Sequence, residues 1–92
     1  MLEFEWDNRK AAANLKKHRV SFDEARTAFG DPFSLTIPDP EHSEGENRYL
    51  LLGTSTSARL LVVSLTYRER RIRIINARIA NGRERKDYES TD

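Results

Sequence analysis

Residues 48–54, 60–67 and 71–79 are three strand-length segments rich in Leu, Ile and Val, separated by connections of only five and three residues. A parallel crossover takes about a dozen residues or more, so these segments can share a sheet only by reversing direction, which predicts an antiparallel meander. The third segment carries an irregularity. Ile72 and Ile74 lie on one parity and Ile75, Ala77 and Ile79 on the other. One face stays apolar only if the register slips near Ile74 and Ile75, as a β-bulge allows. The slip aligns Arg71, Arg73, Asn76 and Arg78 on one polar face, with neighbouring side chains roughly 7 Å apart at strand rise. Three arginines with no acidic residue among them repel one another, so a polyanionic partner explains this face better than solvation alone.

Charge is concentrated in the same region. From Arg68 to Lys86, eight basic residues stand against Glu69 and Glu84, a local excess of +6 in a chain of net charge +1. Seven of the eight are arginine, whose planar fork fits phosphate oxygens, so RNA or DNA is the first partner to consider. At 92 residues the chain is read as one domain, residues 1–92, with a modest core. It has no apolar stretch long enough to span a bilayer, and MLEFEWDNRK lacks the basic start and apolar run of a signal peptide. The expected location is the cytoplasm, with no membrane association. Without cysteine, and with two histidines, neither a disulfide framework nor a good metal site is available, and no cofactor or metal is expected.

Upstream, Leu2, Phe4 and Trp6 alternate with Glu3 and Glu5 as in a half-buried strand. Asp7 is a good N-cap for a helix over residues 8–18, in which Ala11, Leu15 and His18 share a face and Lys16 and Lys17 suit the C-terminal end of the dipole. Ser21 and Glu24 form a capping box for a second, short helix presenting Phe22, Ala25 and Phe29, closed by Gly30-Asp31-Pro32. Residues 33–37 read as a strand, PDPEHSEGEN as a loop with four acidic residues, and residues 81–89 as a terminal helix. The fold class is α+β: a mainly antiparallel sheet, made of the N-terminal strand and the C-terminal meander, with two N-terminal helices and one C-terminal helix.

The string FEWDNRKAAANLKKHRVSFDEA, the acidic loop with His42, Glu46 and Arg48, the Leu-Leu-Val-Val strand, and RIRIINARIA followed by Glu84 and Tyr88 together resemble the BrnT toxins of bacterial type II toxin-antitoxin pairs. The likeness runs nearly end to end. It implies a RelE-like fold, ribonuclease activity that blocks translation, and neutralisation by a BrnA-type antitoxin that carries its own DNA-binding domain. DNA would then be met only through the antitoxin complex, and a homodimer or a heterotetramer with the antitoxin fits such a system. One position departs from the pattern: the family usually has Gly after Lys-His, where a helix C-cap favours a left-handed residue, and this chain has Arg19.

Metal-free RNA cleavage by attack of the ribose 2'-OH on the adjacent phosphorus needs a base, an acid for the leaving 5' oxygen, and positive charge at the developing phosphorane. Arginines can meet the last need, with Arg48, Arg71, Arg73 and Arg78 as RNA-binding candidates. His18, His42, Glu46, Glu84, Tyr67 and Tyr88 remain open as acid and base. The resemblance favours a site built on Arg78, Glu84, Tyr88, His18 and Glu46. His18 on its helix face also reads as a packed structural residue, and Glu84 with Tyr88, one helical turn apart, could equally dock the terminal helix. His42 lies among Glu41 and Glu44, which would favour its protonated form. No Gly-rich phosphate loop, zinc-protease motif or nucleophile elbow is present. The function read from the chain is a metal-independent endoribonuclease toxin. The alternative is a non-catalytic nucleic-acid-binding or regulatory module acting within the antitoxin complex.

Overall fold

The meander forms as its connections require, and the rest of the chain is arranged on it. In the computed structural model, which describes residues 2–90, the elements are β1 (Glu3–Glu5), α1 (Asn8–His18), α2 (Phe22–Thr27), β2 (Leu35–Pro38), β3 (Arg48–Thr54), β4 (Leu60–Arg68), β5 (Arg71–Ile79) and α3 (Gly82–Glu89), with 3₁₀ turns at Ala28–Gly30 and Pro40–His42. Met1, Thr91 and Asp92, the ends of the expected 1–92 domain, lie outside the described residues. The strands make one sheet in the order β1-β5-β4-β3-β2, antiparallel except for β1, which runs parallel to β5.

The bulge sits where the broken parity put it. Leu65 pairs with Ile74 and Ser64 with Asn76, so Ile75 is the extra residue of β5. Because cross-strand partners share a face, the register defines two surfaces. On one, Leu51, Leu61, Val63, Leu65, Ile72, Ile74 and Ala77 join Val20, Phe22, Ala25 and Ala28 in the core beneath α1 and α2. Edge-to-face pairs of Trp6 with Phe22 at 5.9 Å and Phe4 with Phe29 at 5.0 Å close its margin. Gly53 is required here, because a Cβ would lie 2.8 Å from the Ala28 carbonyl oxygen. The opposite surface bears Leu35, Leu52, Val62 and Arg78 in one cross-strand row and Ile37, Leu50, Ser64 and Asn76 in the next.

α1 differs from its predicted face. Leu15 is 49% exposed, and the residue turned inward is Asn14, at 6%. The reason is the brevity of β1, which pairs with β5 only as far as Arg73 and leaves the remainder of that edge without a strand neighbour. Asn14 takes the missing strand's place. Its Oδ1 accepts from the Ala77 N–H at 3.1 Å and its Nδ2 donates to the Ala77 carbonyl at 2.8 Å. The second Nδ2 hydrogen goes to the Val20 carbonyl at 2.9 Å, and Asn76 Nδ2 donates to the same Oδ1 at 3.1 Å. Two donors and two acceptor positions are thereby all used.

The N-caps form where the sequence puts them, but the box expected at Ser21 and Glu24 is half made. Asp7 accepts from the Arg9 and Lys10 backbone N–H groups, Ser21 accepts from that of Glu24, whose own carboxylate is taken by Arg59 and Ser55, and Asn81 forms a capping box with Glu84. Arg19 keeps the left-handed geometry of the C-cap, at φ 59° and ψ 31°, which costs a residue with a Cβ about 1 kcal/mol. Glu24 is held by Arg59 and by Ser55 Oγ at 2.7 Å, tying α2 to the β3–β4 turn. β2 begins two residues later than residue 33, leaving Phe33 70% exposed, because Asp31 Oδ1 holds the Phe33 N–H at 2.9 Å in a turn. No helix among the described residues is long and apolar enough to cross a membrane.

Candidate active site

The face opposite the core carries a cleft of about 430 Å³ lined by Asp39, Glu41, His42, Arg48, Leu50, Val62, Ser64, Ile75, Asn76 and Arg78. Four elements build it, with β4 supplying Val62 and Ser64 to its floor. The Pro40–His42 turn supplies the acidic side, the start of β3 supplies Arg48, and the bulged strand β5 supplies Arg78 and Asn76. Pro40 opens this turn, and the Ser43 hydroxyl fastens it by donating to the Asp39 carbonyl at 2.6 Å and accepting from the Arg48 N–H at 3.0 Å. His42 Nδ1 lies 2.9 Å from Asp39 Oδ2. An ionised carboxylate only accepts, so Nδ1 is the donor and Nε2 is left as the acceptor of the neutral ring. Glu41 and Glu44, the neighbours named from sequence, are not the ring's partners; that place belongs to Asp39.

Arg78 and Glu84 come together as their spacing suggests. Nη1 and Nη2 of Arg78 each donate to Glu84 at 2.8 Å, and Glu84 Oε1 also accepts from the Asn81 N–H at 2.9 Å. Arg78, and then the Asn81 N–H, hold the Glu84 carboxyl below its ordinary range against the opposing effect of burial. A guanidinium has five N–H donors. Two go to Glu84 and one approaches the Ile79 carbonyl at 3.4 Å, so the Nε–H and the second Nη2–H remain as a side-on fork for an anion. Across the cleft, the Arg48 Nε is buried with no hydrogen-bond partner, Glu46 being 3.9 Å away. A buried, unpaired donor on a guanidinium is costly.

The other predicted residues are more dispersed. Arg71 and Arg73 share the polar face with Arg78, but acidic residues do interleave with them: β1 places Glu5 2.8 Å from Arg73 and 3.7 Å from Arg71, and Glu3 3.9 Å from Arg71. The expectation of an unneutralised arginine face is corrected by this parallel pairing of Glu3 with Arg71 and Glu5 with Arg73. Glu46 lies beside Arg68 at 3.4 Å and Arg48 at 3.9 Å, a counter-charge from the acidic loop. His18 lines a separate, shallower hollow with Lys10, Lys17 and Asn76; Ile75 and Asn76 border both. Tyr67 packs edge-to-face on Tyr49 at 5.3 Å.

Tyr88 is outside the cleft lining. Its hydroxyl donates to Asp31 Oδ2 at 2.5 Å and accepts from Thr54 Oγ1 at 3.2 Å, docking α3 on the end of β3. The bond to Asp31 raises the phenol's pKa, keeping it neutral. Next to the cleft, under α3, runs an apolar groove of about 170 Å³ lined by Leu35, Ile37, Leu50, Leu52, Val62, Glu84 and Asp87. Asp39 and Ser64 are cleft residues that sequence reasoning missed; the Pro40 helical turn that brings residues 39 and 42 together was the available signal.

The family described as ribonuclease toxin, BrnT, of type II toxin-antitoxin system matches residues 6–84. Among solved structures, the ribonuclease toxin BrnT of Brucella abortus is similar in fold, with a TM-score of 0.69 at 17% identity, covering 88% of this chain and 99% of that one. No curated protein matches the chain. With 79 of its 92 residues inside the family match, and with the fold shared, the chain belongs to the BrnT family of ribonuclease toxins of type II toxin-antitoxin systems.

Proposed function

We propose that this chain is an endoribonuclease that cuts RNA in the cleft without a metal ion, inhibiting translation in the cytoplasm. The observation that carries the reading is the convergence of the Asp39-oriented His42 ring with the guanidinium groups of Arg48 and Arg78 on one concave surface. His42 Nε2 takes the proton of the ribose 2'-OH while that oxygen attacks phosphorus. The imidazolium so formed returns the proton to the departing 5' oxygen. The products are a 2',3'-cyclic phosphate and a 5'-hydroxyl. Arg78, through its unused fork, and Arg48, through its charge, stabilise the phosphorane. Glu84 acts by aligning Arg78; a carboxyl held ionised by a guanidinium is a poor proton donor. Arg71 and Arg73 extend the phosphate track, attenuated by Glu3 and Glu5. Tyr88, His18 and Glu46 act as structural or counter-charge residues. A BrnA-type antitoxin neutralises the toxin by covering this surface.

The experiment is cleavage of a defined RNA in excess EDTA by the parent and by His42→Asn and Arg78→Gln variants, with folding checked by thermal melts and product ends mapped. Rates should fall about 10²–10⁴-fold without the base and about 10²–10³-fold without one stabilising donor. Loss of parental activity in EDTA would overturn the metal-free mechanism, and parental rates in both folded variants would overturn the site.

A further inference from the structure

The apolar groove under α3 is continuous with the cleft. Leu50 and Val62 line both, so a chain whose phosphate reached Arg78 would have its neighbouring nucleotide beside an aliphatic floor of Leu35, Ile37, Leu50 and Val62. A purine ring covers such a floor well, because its faces are apolar and its polar atoms lie at the edge. What meets that edge comes from α3. Glu84 is committed to Arg78 and Asn81. Asp87 lines the groove one turn along, and among the described residues its carboxylate has neither a hydrogen bond nor an ion pair. Arg83 and Lys86 on the same helix do not pair with it, and as an exposed residue it is open to a ligand.

We propose that this groove holds the base beside the scissile phosphate and selects guanine through Asp87. The selection follows from hydrogen-bond parity. An ionised carboxylate accepts and cannot donate. Guanine alone presents two adjacent donors on its Watson–Crick edge, N1–H and the N2 amino group, which match the two carboxylate oxygens. Adenine and cytosine each offer one amino donor beside a ring nitrogen acceptor that the carboxylate repels. Uracil offers one N–H between two carbonyl oxygens. Single-stranded RNA leaves this edge open. The inference rests on the reading of the cleft as the cleavage site, and names the nucleotide it accepts.

Two measurements test it, one of them independent of cleavage. Binding of 3'-GMP and 3'-AMP, followed by NMR shifts of α3 and β3 amides, should favour 3'-GMP by roughly ten- to a hundredfold, the discrimination of one bidentate pair. Asp87→Asn, which replaces one acceptor with a donor and so matches adenine's amino group and ring nitrogen, should erase that preference by weakening 3'-GMP and strengthening 3'-AMP. Equal affinity of the parent for both nucleotides, or an unchanged preference in Asp87→Asn, would overturn guanine selection whether or not the protein cuts RNA. On a substrate with every base beside the cut, the parent should cleave preferentially next to G, and Asp87→Asn should lose the bias. Unbiased parental cleavage would overturn this proposal and leave the cleft's chemistry standing, whereas 3'-GMP preference without any cleavage would support the groove and count against the catalytic reading.

Discussion

Replacing Asn14 with leucine, which is of similar size, removes four hydrogen bonds, three through which α1 closes the free edge of β5 and one to the Val20 carbonyl. Asn76 is half-buried and can turn its amide to water, so the loss falls on three backbone groups: the Ala77 N–H, the Ala77 carbonyl and the Val20 carbonyl. A buried group left without its partner costs about 1–3 kcal/mol, and the added apolar burial offsets part of it, so the net loss is about 3 kcal/mol. For a domain of this length that lowers the melting temperature by about 12–24 °C. Asn14→Asp separates hydrogen-bond matching from packing. The introduced carboxyl keeps the oxygen that accepts from Ala77 and Asn76, but sets a second oxygen against two carbonyls that now sit 2.8 and 2.9 Å from Nδ2. Burial and those carbonyls raise its folded pKa above its unfolded value, so the penalty is full above the folded pKa and shrinks as pH falls toward the unfolded one. The assay is paired thermal melts of parent and both variants at pH 7 and pH 4. The gap between parent and Asn14→Asp should narrow at pH 4, and that between parent and Asn14→Leu should not. If Asn14→Leu melts within about 3 °C of the parent, a shift worth less than 1 kcal/mol, the edge-closing account of Asn14 is wrong.

Tyr88→Phe removes a hydroxyl bonded to a carboxylate and should cost about 1–2 kcal/mol, or about 4–16 °C in melting temperature, while leaving RNA cleavage at the parental rate; a folded variant without activity would return Tyr88 to the chemistry. Acid should also weaken the fold. Glu24 is held below its ordinary pKa of 4.5 chiefly by Arg59, and Glu84 chiefly by Arg78. Asp31 stays below 3.8 although burial opposes it, through bonds from Tyr88, Thr54 and Phe33. Depressed folded values give stability that is present above the ordinary values and is lost as pH falls through the folded ones, so melting temperatures should hold from pH 7 to 5 and drop below about 4. A melting temperature unchanged down to pH 2.5 would contradict these pairings.

The features legible in the sequence were those written in neighbouring residues. The parity break at Ile74 and Ile75 located the bulge because side-chain alternation is a local property, and the spacing of Arg78 from Glu84 sufficed because only a turn separates them. The features that escaped depend on the chain's return. Glu3 and Glu5 lie more than sixty residues from the arginines they neutralise, and nothing in either segment announces a parallel pairing. Asn14 reads as a polar residue in mid-helix, destined for solvent, until the short β1 leaves a backbone edge that an amide can complete. Leu15, the natural candidate for the core, stays outside for the same reason. His42 was visible as a candidate, but its partner was chosen by a 3₁₀ turn whose formation no pattern of apolar residues marks.

The parallel strand β1 also bears on when a ribosome-made chain can become a nuclease. Its first residues find their sheet partner only in the last strand, with 68 positions between Glu5 and Arg73. Contacts of such sequence separation form late, because loop closure precedes any gain from pairing. During synthesis α1 and α2 emerge long before the strands that bury Val20 and Phe22, and Arg78 emerges after every other wall of the cleft. A nascent chain therefore carries an unfinished sheet, and the cleft gains Arg78 only as the last strand is completed.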